Sequence, residues 1–228
     1  MLTRINDFYT FLTINEQDRA RGKQQAARAA ETAGDMTHIK DYEALAAIAL
    51  HVKPRRIFEI GTYLGVTSDF LLSLIPDCRV VSIAFENSRW NLSRKRFNNS
   101  ELPHERIGSK VNPARRARFT QLYGDSHKLD SEALIATHGR FDLVFIDGDH
   151  SRAGVSQDTA LAKAILTSTG VICWHDANPK PRYMDVREYL EVELPLSAIA
   201  TCDDYIGGVA CWSKQIEDRL SVAGAERT

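Results

Sequence analysis

The sequence has no long apolar run, no paired cysteine motif and no marked excess of charge of either sign. Nowhere do about 18 consecutive apolar residues occur, which is the length that a membrane-spanning helix needs. The first seven residues, Met1 to Asp7, carry charge too early for a secretory signal peptide. We therefore expect a soluble cytoplasmic protein with no membrane partner.

Cysteine and charge patterns exclude further classes of protein. Lysine and arginine (29) nearly balance aspartate and glutamate (30), so no overall field favours nucleic acid. Local basic clusters at 93–96 and 115–118 are interpreted as solvated helix faces, with anion binding, for example by Arg94 and Arg96, as the alternative. The cysteines lack CxxC spacing, so we expect reduced, buried thiols rather than a zinc site or a disulfide framework. They are Cys78, Cys173, Cys202 and Cys211.

The order of apolar runs predicts an α/β fold. With 43% hydrophobic residues, the 228-residue chain can bury a substantial core. Short β-rich runs alternate with helical ones after Pro54, which is typical of a parallel sheet. We predict a Rossmann-like, mainly parallel seven-stranded sheet with an antiparallel final hairpin. The predicted strands are 56–60, 79–83, 119–123, 141–146, 170–174, 197–201 and 208–212. A helical N-terminal cap at 1–50 and a catalytic domain at 51–228 are expected to form one structural unit.

Two strand ends carry residues suited to chemistry. The apolar run 141–146 predicts a strand buried on both faces, and Asp147, Asp149 and His150 follow it directly. Open α/β sheets bind ligands at the carboxyl ends of their strands. At another strand end, Gly61 would let the backbone lie against a ligand and Gly65 would let a helix pack closely. The two glycines are four residues apart, unlike the GxGxxG of dinucleotide binders, and an ordinary strand-to-helix turn is the alternative.

Four strand-end motifs stand in order along the chain, and together they resemble one family. They are Glu59-x-Gly61-x-x-x-Gly65, Gly124-Asp-Ser126, Ile146-Asp-Gly-Asp-His150 and Trp174-His-Asp176. The set resembles class I S-adenosylmethionine-dependent methyltransferases, and more narrowly the small-molecule O-methyltransferases with a divalent metal. The resemblance spans residues 40–212. It implies O-methylation of a small hydroxylated metabolite, such as a sugar or a phenolic group.

The resemblance also implies a cofactor site for S-adenosylmethionine. Glu59 would organise the glycine loop, and Asp125 with Ser126 would lie beside the adenine, whereas a helix-capping role for Asp125 is the alternative. The family's ribose-binding acid is replaced here by Ala84, so Glu86 is the candidate substitute, with a surface glutamate as the alternative. The implied cofactor-binding residues are Glu59, Gly61, Thr62, Gly65, Glu86, Gly124, Asp125, Ser126 and Asp147.

The same resemblance implies a metal site and a general base. Asp147, His175 and Asp176 would hold a divalent cation, and carboxylate oxygens suit Mg²⁺. An imidazole ligand is also compatible with Mn²⁺, Fe²⁺ or Zn²⁺, and a metal-free site is the alternative. His150 is the candidate base because imidazole accepts a proton near neutral pH. Its alternative role is to cap the following helix or to bond a backbone carbonyl.

Two other functions compete with methyl transfer. A binding or accessory protein that retains the fold is favoured by Ala84, and it predicts weak cofactor binding and tolerance of His150→Ala. A nicotinamide-dependent oxidoreductase is disfavoured by the glycine spacing. The sequence leaves the acceptor and the oligomeric state open, with the hairpin edge and the cap as candidate dimer surfaces for a homo-oligomer.

Overall fold

A computed structural model describes residues 2–85, 104–177, 184–193, 199–202 and 208–218. The strands in these ranges are β1 (Leu2–Arg4), β2 (Arg56–Ile60), β3 (Arg79–Ala84), β4 (Phe119–Tyr123), β5 (Phe141–Ile146), β6 (Leu166–Trp174), β7 (Ile199–Cys202) and β8 (Val209–Trp212). The α-helices are α1 (Phe8–Phe11), α2 (Glu16–Ala33), α3 (Ile39–Val52), α4 (Val66–Leu74), α5 (Ser131–His138), α6 (Arg152–Ile165) and α7 (Met184–Glu188). A π-helical turn, Tyr189–Glu193, follows α7 directly.

The described strands form one sheet in the order β1-β7-β8-β6-β5-β2-β3-β4. Strand β8 runs antiparallel to both β6 and β7, and the other neighbouring strands are parallel. The chain builds β3 and β4 on one side of β2, and β5 and β6 on the other. The carboxyl ends of β2 and β5 therefore form the topological switch point, where open α/β sheets bind ligands. This confirms the predicted Rossmann-like fold with its antiparallel hairpin.

The structure adds one strand to the seven that the sequence predicts. Strand β1 pairs in parallel with β7, and Leu2 lies opposite Ile199 in the register. The sequence predicts a helical cap over residues 1–50 and no strand there. A three-residue strand has too little alternation to be recognised locally, and its partner stands almost two hundred positions further along the chain.

The sheet is covered on both faces, which explains the continuous apolar runs. Along β5, Leu143 and Phe145 pack into the cluster that contains α1 to α4. Val144 and Ile146 point to the opposite face and pack with α5, α6 and α7. Successive strand residues face opposite sides, so a central strand with helices on both sides is apolar at every position.

The basic cluster at 115–118 anchors helix α4. Arg115 donates two hydrogen bonds to Asp69, from Nε at 2.8 Å and from Nη2 at 2.7 Å. Arg118 donates to the carbonyl oxygens of Leu72 (2.9 Å) and Cys78 (3.0 Å), at the end of α4 and just beyond it. The prediction of a solvated helix face is therefore wrong for these arginines. The other basic cluster, at 93–96, lies outside the described residues.

We expect Arg118→Ala to lower the free energy of unfolding by about 2 kcal/mol. Hydrogen bonds from a charged group contribute about 1.5–3 kcal/mol, and alanine leaves carbonyl oxygens near the end of α4 without this donor. Urea unfolding of the variant, compared with Arg79→Ala at an exposed position, measures the difference. Equal stabilities for the two variants would contradict the anchoring role.

The described residues contain no helix that is both long enough and apolar enough to cross a membrane. Cys78, Cys173 and Cys211 are free and buried, which agrees with the expected role of buried thiols. Burial raises the pKa of the Cys78 thiol to about 11, so this group stays protonated at neutral pH.

Candidate functional site

A row of backbone hydrogen bonds aligns the turns at the carboxyl edge of the sheet. In each case the first residue after a strand donates its N–H to a residue at or near the end of the neighbouring strand. The bonds join Gly124 N to Ala84 O (2.9 Å), Gly61 N to Ile83 O (2.9 Å), Asp147 N to Ile60 O (2.8 Å) and His175 N to Ile146 O (3.0 Å). Sequence motifs that are far apart along the chain therefore meet at one edge.

The glycine turn packs directly on the neighbouring strand end. Gly61 has φ +104°, and a Cβ at this position would lie 1.9 Å from the carbonyl oxygen of Asp147. The glycine is thus required for packing within the chain, whereas the sequence alone predicts that its small size serves contact with a ligand. Gly65, with φ +83°, would place a Cβ 2.8 Å from the Cα of Gly108. This agrees with the close packing predicted for Gly65.

Glu59 lies buried beneath the glycine loop at the centre of a polar network. It accepts hydrogen bonds from the hydroxyls of Ser68 and Ser82, the latter at 2.6 Å. The Ser82 hydroxyl also lies 2.6 Å from Thr62 Oγ1, to which Gln121 Nε2 donates at 2.9 Å. Burial raises the pKa of Glu59 to about 7. Neither serine was predicted as a site residue; the available signal was Ser82, an isolated hydroxyl among the apolar residues of β3, whereas Ser68 stands among other polar residues of α4.

We expect the stability of Glu59→Gln, relative to the unchanged protein, to rise as the pH increases from 5 to 8. The pKa of Glu59 is raised in the folded state, so its contribution to stability is complete below about pH 4.5 and is lost as the pH passes 7. The contribution of Glu59 to the free energy of unfolding that is lost over this range is on the order of 3 kcal/mol. Thermal unfolding across this pH range tests the difference, with Glu132→Gln as an exposed control. A constant difference between variant and unchanged protein would contradict it.

The predicted metal ligands and the candidate base form one cluster. His150 Nε2 lies 2.7 Å from Asp176 Oδ2 and 3.4 Å from Asp147 Oδ1. His175 Nδ1 lies 3.2 Å from Asp147 Oδ1 and 3.5 Å from Asp176 Oδ1. Two carboxylates and two imidazoles therefore face one another where β5 and β6 end.

The charges in this cluster are strongly coupled. Burial disfavours the charged form of His150, but hydrogen bonds with Asp147 and Asp176 outweigh it and raise the pKa of His150 to about 10. Burial likewise opposes ionisation of Asp147, yet the neighbouring His175 and His150 hold the pKa of its carboxyl well below the usual range. In this arrangement His150 is protonated at neutral pH, and a base must be neutral.

Asp176 has two features that fit a cation ligand. Its Oδ1 atom is buried and, within the described part of the chain, has no hydrogen-bond partner. Its backbone has φ +57°, a left-handed conformation that is uncommon outside glycine and is often found at functional sites. Ligand atoms of Asp147, His175 and Asp176 all lie within 4.8 Å of one another, so the donor set suits a divalent cation.

The Gly124-Asp-Ser126 motif forms a capped turn. Asp125 Oδ1 accepts a hydrogen bond from His127 N at 3.1 Å, which is the capping geometry considered as the alternative. Ser126 Oγ donates to Asp158 Oδ1 at 2.7 Å, and a hydroxyl oxygen that donates can still accept through its two lone pairs. Ala84 is the last residue of β3, and Glu86 lies outside the described residues.

A cavity of about 260 Å³ separates the glycine loop from the N-terminal helices. Its lining includes Gly61, Thr62 and His175 from the strand ends, and His38 and Asp41 from the N-terminal region. The sequence analysis missed His38 and Asp41. The available signal was a carboxylate in the first turn of helix α3, three residues after a histidine.

Comparison with family profiles identifies the family, and comparison with solved structures supports the fold. The profile of a family described as "Methyltransferase domain" matches residues 58–177, which is just over half of the chain. No curated protein matches the sequence.

Several solved structures have the same fold at low sequence identity. An O-methyltransferase from Bacillus cereus in complex with S-adenosylhomocysteine is 19% identical, with 90% of this chain and 94% of that chain covered and a TM-score of 0.53. A methyltransferase from Podospora anserina, also bound to S-adenosylhomocysteine, is 14% identical, with 83% and 88% covered and a TM-score of 0.53.

Proposed function

Because the chain belongs to this methyltransferase-domain family, we propose that it is an S-adenosylmethionine-dependent O-methyltransferase of a small hydroxylated metabolite. One observation carries the proposal. The glycine turn at Gly61 packs against Asp147 at the switch point of the sheet, so the proposed donor site and the acid–imidazole cluster would share one edge. A bare fold match would not support a specific chemistry.

The donor site is proposed to lie on the glycine loop. The buried Glu59 network fixes Thr62 and the loop backbone, and the carboxylate of Asp147 favours a positively charged ligand beside Gly61. Asp125 and Ser126 are proposed to meet the adenine, and Glu86 the ribose. When bound, S-adenosylmethionine supplies a methyl group already activated by its sulfonium. The protein's task is then alignment, which contributes on the order of 7 to 11 kcal/mol in favourable cases.

A divalent cation, held by Asp147, Asp176 and His175, is proposed to assist. When bound, it would act as a Lewis acid on an acceptor oxygen and offset the carboxylate charge that keeps His150 protonated. His150 could then accept the proton of the acceptor hydroxyl. We therefore expect the base function of His150 to depend on the cation.

The acceptor is proposed to enter the cavity between the loop and the N-terminal helices. One apolar cluster joins Leu12 and Leu45 of this helical region to Leu143 of the sheet, so we propose that residues 1–50 act as a cap in one unit with the domain at 51–228. The lining combines imidazole, carboxylate and hydroxyl groups with the ring of Tyr42, which suits a hydroxylated ring.

The test is transfer of a labelled methyl group from S-adenosylmethionine to a panel of catechols, phenols and sugars in the presence of Mg²⁺. Mass spectrometry should locate the methyl group on oxygen, and His150→Ala should lower the rate at saturating cofactor. Weak cofactor binding without transfer to any acceptor would instead support the accessory-protein alternative that Ala84 favours. Transfer to nitrogen or carbon would contradict O-methylation.

A further inference from the structure

His38, Asp41 and His175 form a second group of metal-ligating atoms, on the cap side of the cavity. His38 Nδ1 lies 2.9 Å, and His175 Nε2 3.2 Å, from the same oxygen, Asp41 Oδ2. The three ligand atoms lie within 4.8 Å of one another. Around a cation with ligands at about 2.1 Å, adjacent octahedral ligands are about 3.0 Å apart. The two observed nitrogen–oxygen distances are close to this spacing between adjacent ligands.

The surroundings of these side chains match the support that metal ligands usually have. Asp41 Oδ1 accepts a hydrogen bond from Gly208 N at 3.0 Å, which fixes the carboxylate and leaves Oδ2 to face both rings. The second nitrogen of His175, Nδ1, lies 3.2 Å from Asp147 Oδ1. Metal-ligating histidines generally hydrogen-bond their other nitrogen to a carboxylate or a carbonyl, which fixes the tautomer.

All three side chains line the 260 Å³ cavity, so further coordination positions would open toward the space proposed for the acceptor. We propose that His38, Asp41 and His175 bind a divalent transition-metal cation, such as Zn²⁺, Mn²⁺, Fe²⁺ or Co²⁺. Two imidazole nitrogens and one carboxylate oxygen favour these ions over Mg²⁺, which prefers oxygen ligands. The inference goes beyond the proposed methyl transfer, since it needs neither donor nor acceptor.

His175 stands between this position and the one proposed for Asp147 and Asp176. Its Nδ1 faces the strand-end carboxylates and its Nε2 faces Asp41. A neutral imidazole has one lone pair, so the ring ligates one cation at a time and donates its N–H on the other side. The two positions therefore compete for His175.

The test is titration of the whole chain with Co²⁺, without S-adenosylmethionine, followed by visible absorption. We expect d–d bands from bound Co²⁺, and His38→Gln should weaken the binding at least about 10-fold. Asp176→Asn should retain it within about twofold, as should His138→Gln, a control that lines a different cavity. Circular dichroism should show that each variant is folded.

Two results would overturn the inference. If binding survives both His38→Gln and Asp41→Asn but is lost in Asp176→Asn, the cation belongs to the strand-end carboxylates. If no Co²⁺ binds and His38→Gln lowers only the melting temperature, the three side chains are a hydrogen-bonded support between cap and sheet. Either outcome is independent of whether the chain transfers methyl groups.

Discussion

Gly61→Ala is expected to lower the free energy of unfolding by about 2–6 kcal/mol and to abolish cofactor binding. Two costs add at this position, each of about 1–3 kcal/mol. The new Cβ would lie 1.9 Å from the carbonyl oxygen of Asp147, and alanine is strained at φ +104°. Since domains are stable by about 5–15 kcal/mol, the loss is a large fraction of the total. Urea unfolding and cofactor titration measure both effects.

Gly34→Ala is the matched control for this change. Gly34 also has a positive φ, of +77°, but a Cβ there would meet no atom within 4 Å. It ends helix α2, so alanine should cost only about 1 kcal/mol of conformational strain. Similar losses of stability in the two variants would show that the contact with Asp147 is not what requires the glycine.

Asp176→Asn is expected to lower Mg²⁺ affinity by about 100-fold, because ligand charge strongly tunes the binding of hard cations. The free energy of unfolding should fall by about 1–3 kcal/mol, because asparagine weakens the contact of Asp176 Oδ2 with His150 Nε2 at 2.7 Å. Asparagine tolerates the left-handed backbone at φ +57°, so backbone strain adds little to this loss. Calorimetric titration with Mg²⁺ in the presence of S-adenosylhomocysteine, together with urea unfolding, separates the two effects.

Asp130→Asn provides the control for this pair of measurements. Asp130 caps helix α5 through the backbone N–H groups of Glu132 and Ala133, and asparagine caps equally well. Asp130→Asn should leave both the Mg²⁺ affinity and the free energy of unfolding unchanged. A large loss of stability in Asp176→Asn, with Mg²⁺ affinity retained, would make Asp176 a structural residue rather than a ligand.

The strand-end residues were predictable because parallel topology turns sequence order into spatial proximity. Asp147, His175 and Gly61 follow adjacent strands, and a parallel sheet places such turns at one edge. The same reasoning could not reach His38 and Asp41, which are brought to that edge by the packing of α3. Helix periodicity predicts which face of α3 is buried, but it does not predict which strand end the helix covers.

For some residues, the sequence does not show which contact requires that residue type. The glycine at Gly61 was recognised, yet the atom that excludes a side chain there belongs to Asp147, more than eighty residues later. Arg115 and Arg118 look like surface charge in the sequence, because their acceptors are Asp69 and the carbonyl oxygens near the end of α4. Strand β1 depends on a partner at the far end of the chain in the same way. Non-local contacts of this kind leave no periodic signal.

The most direct test of the proposed donor site is isothermal titration of S-adenosylmethionine and S-adenosylhomocysteine into the purified protein, with and without Mg²⁺ or Mn²⁺. We expect micromolar binding of both ligands, retained in Asp130→Asn and lost in Gly61→Ala. No detectable binding of either ligand under any metal condition would contradict a donor site at the carboxyl edge and, with it, the proposed methyl transfer.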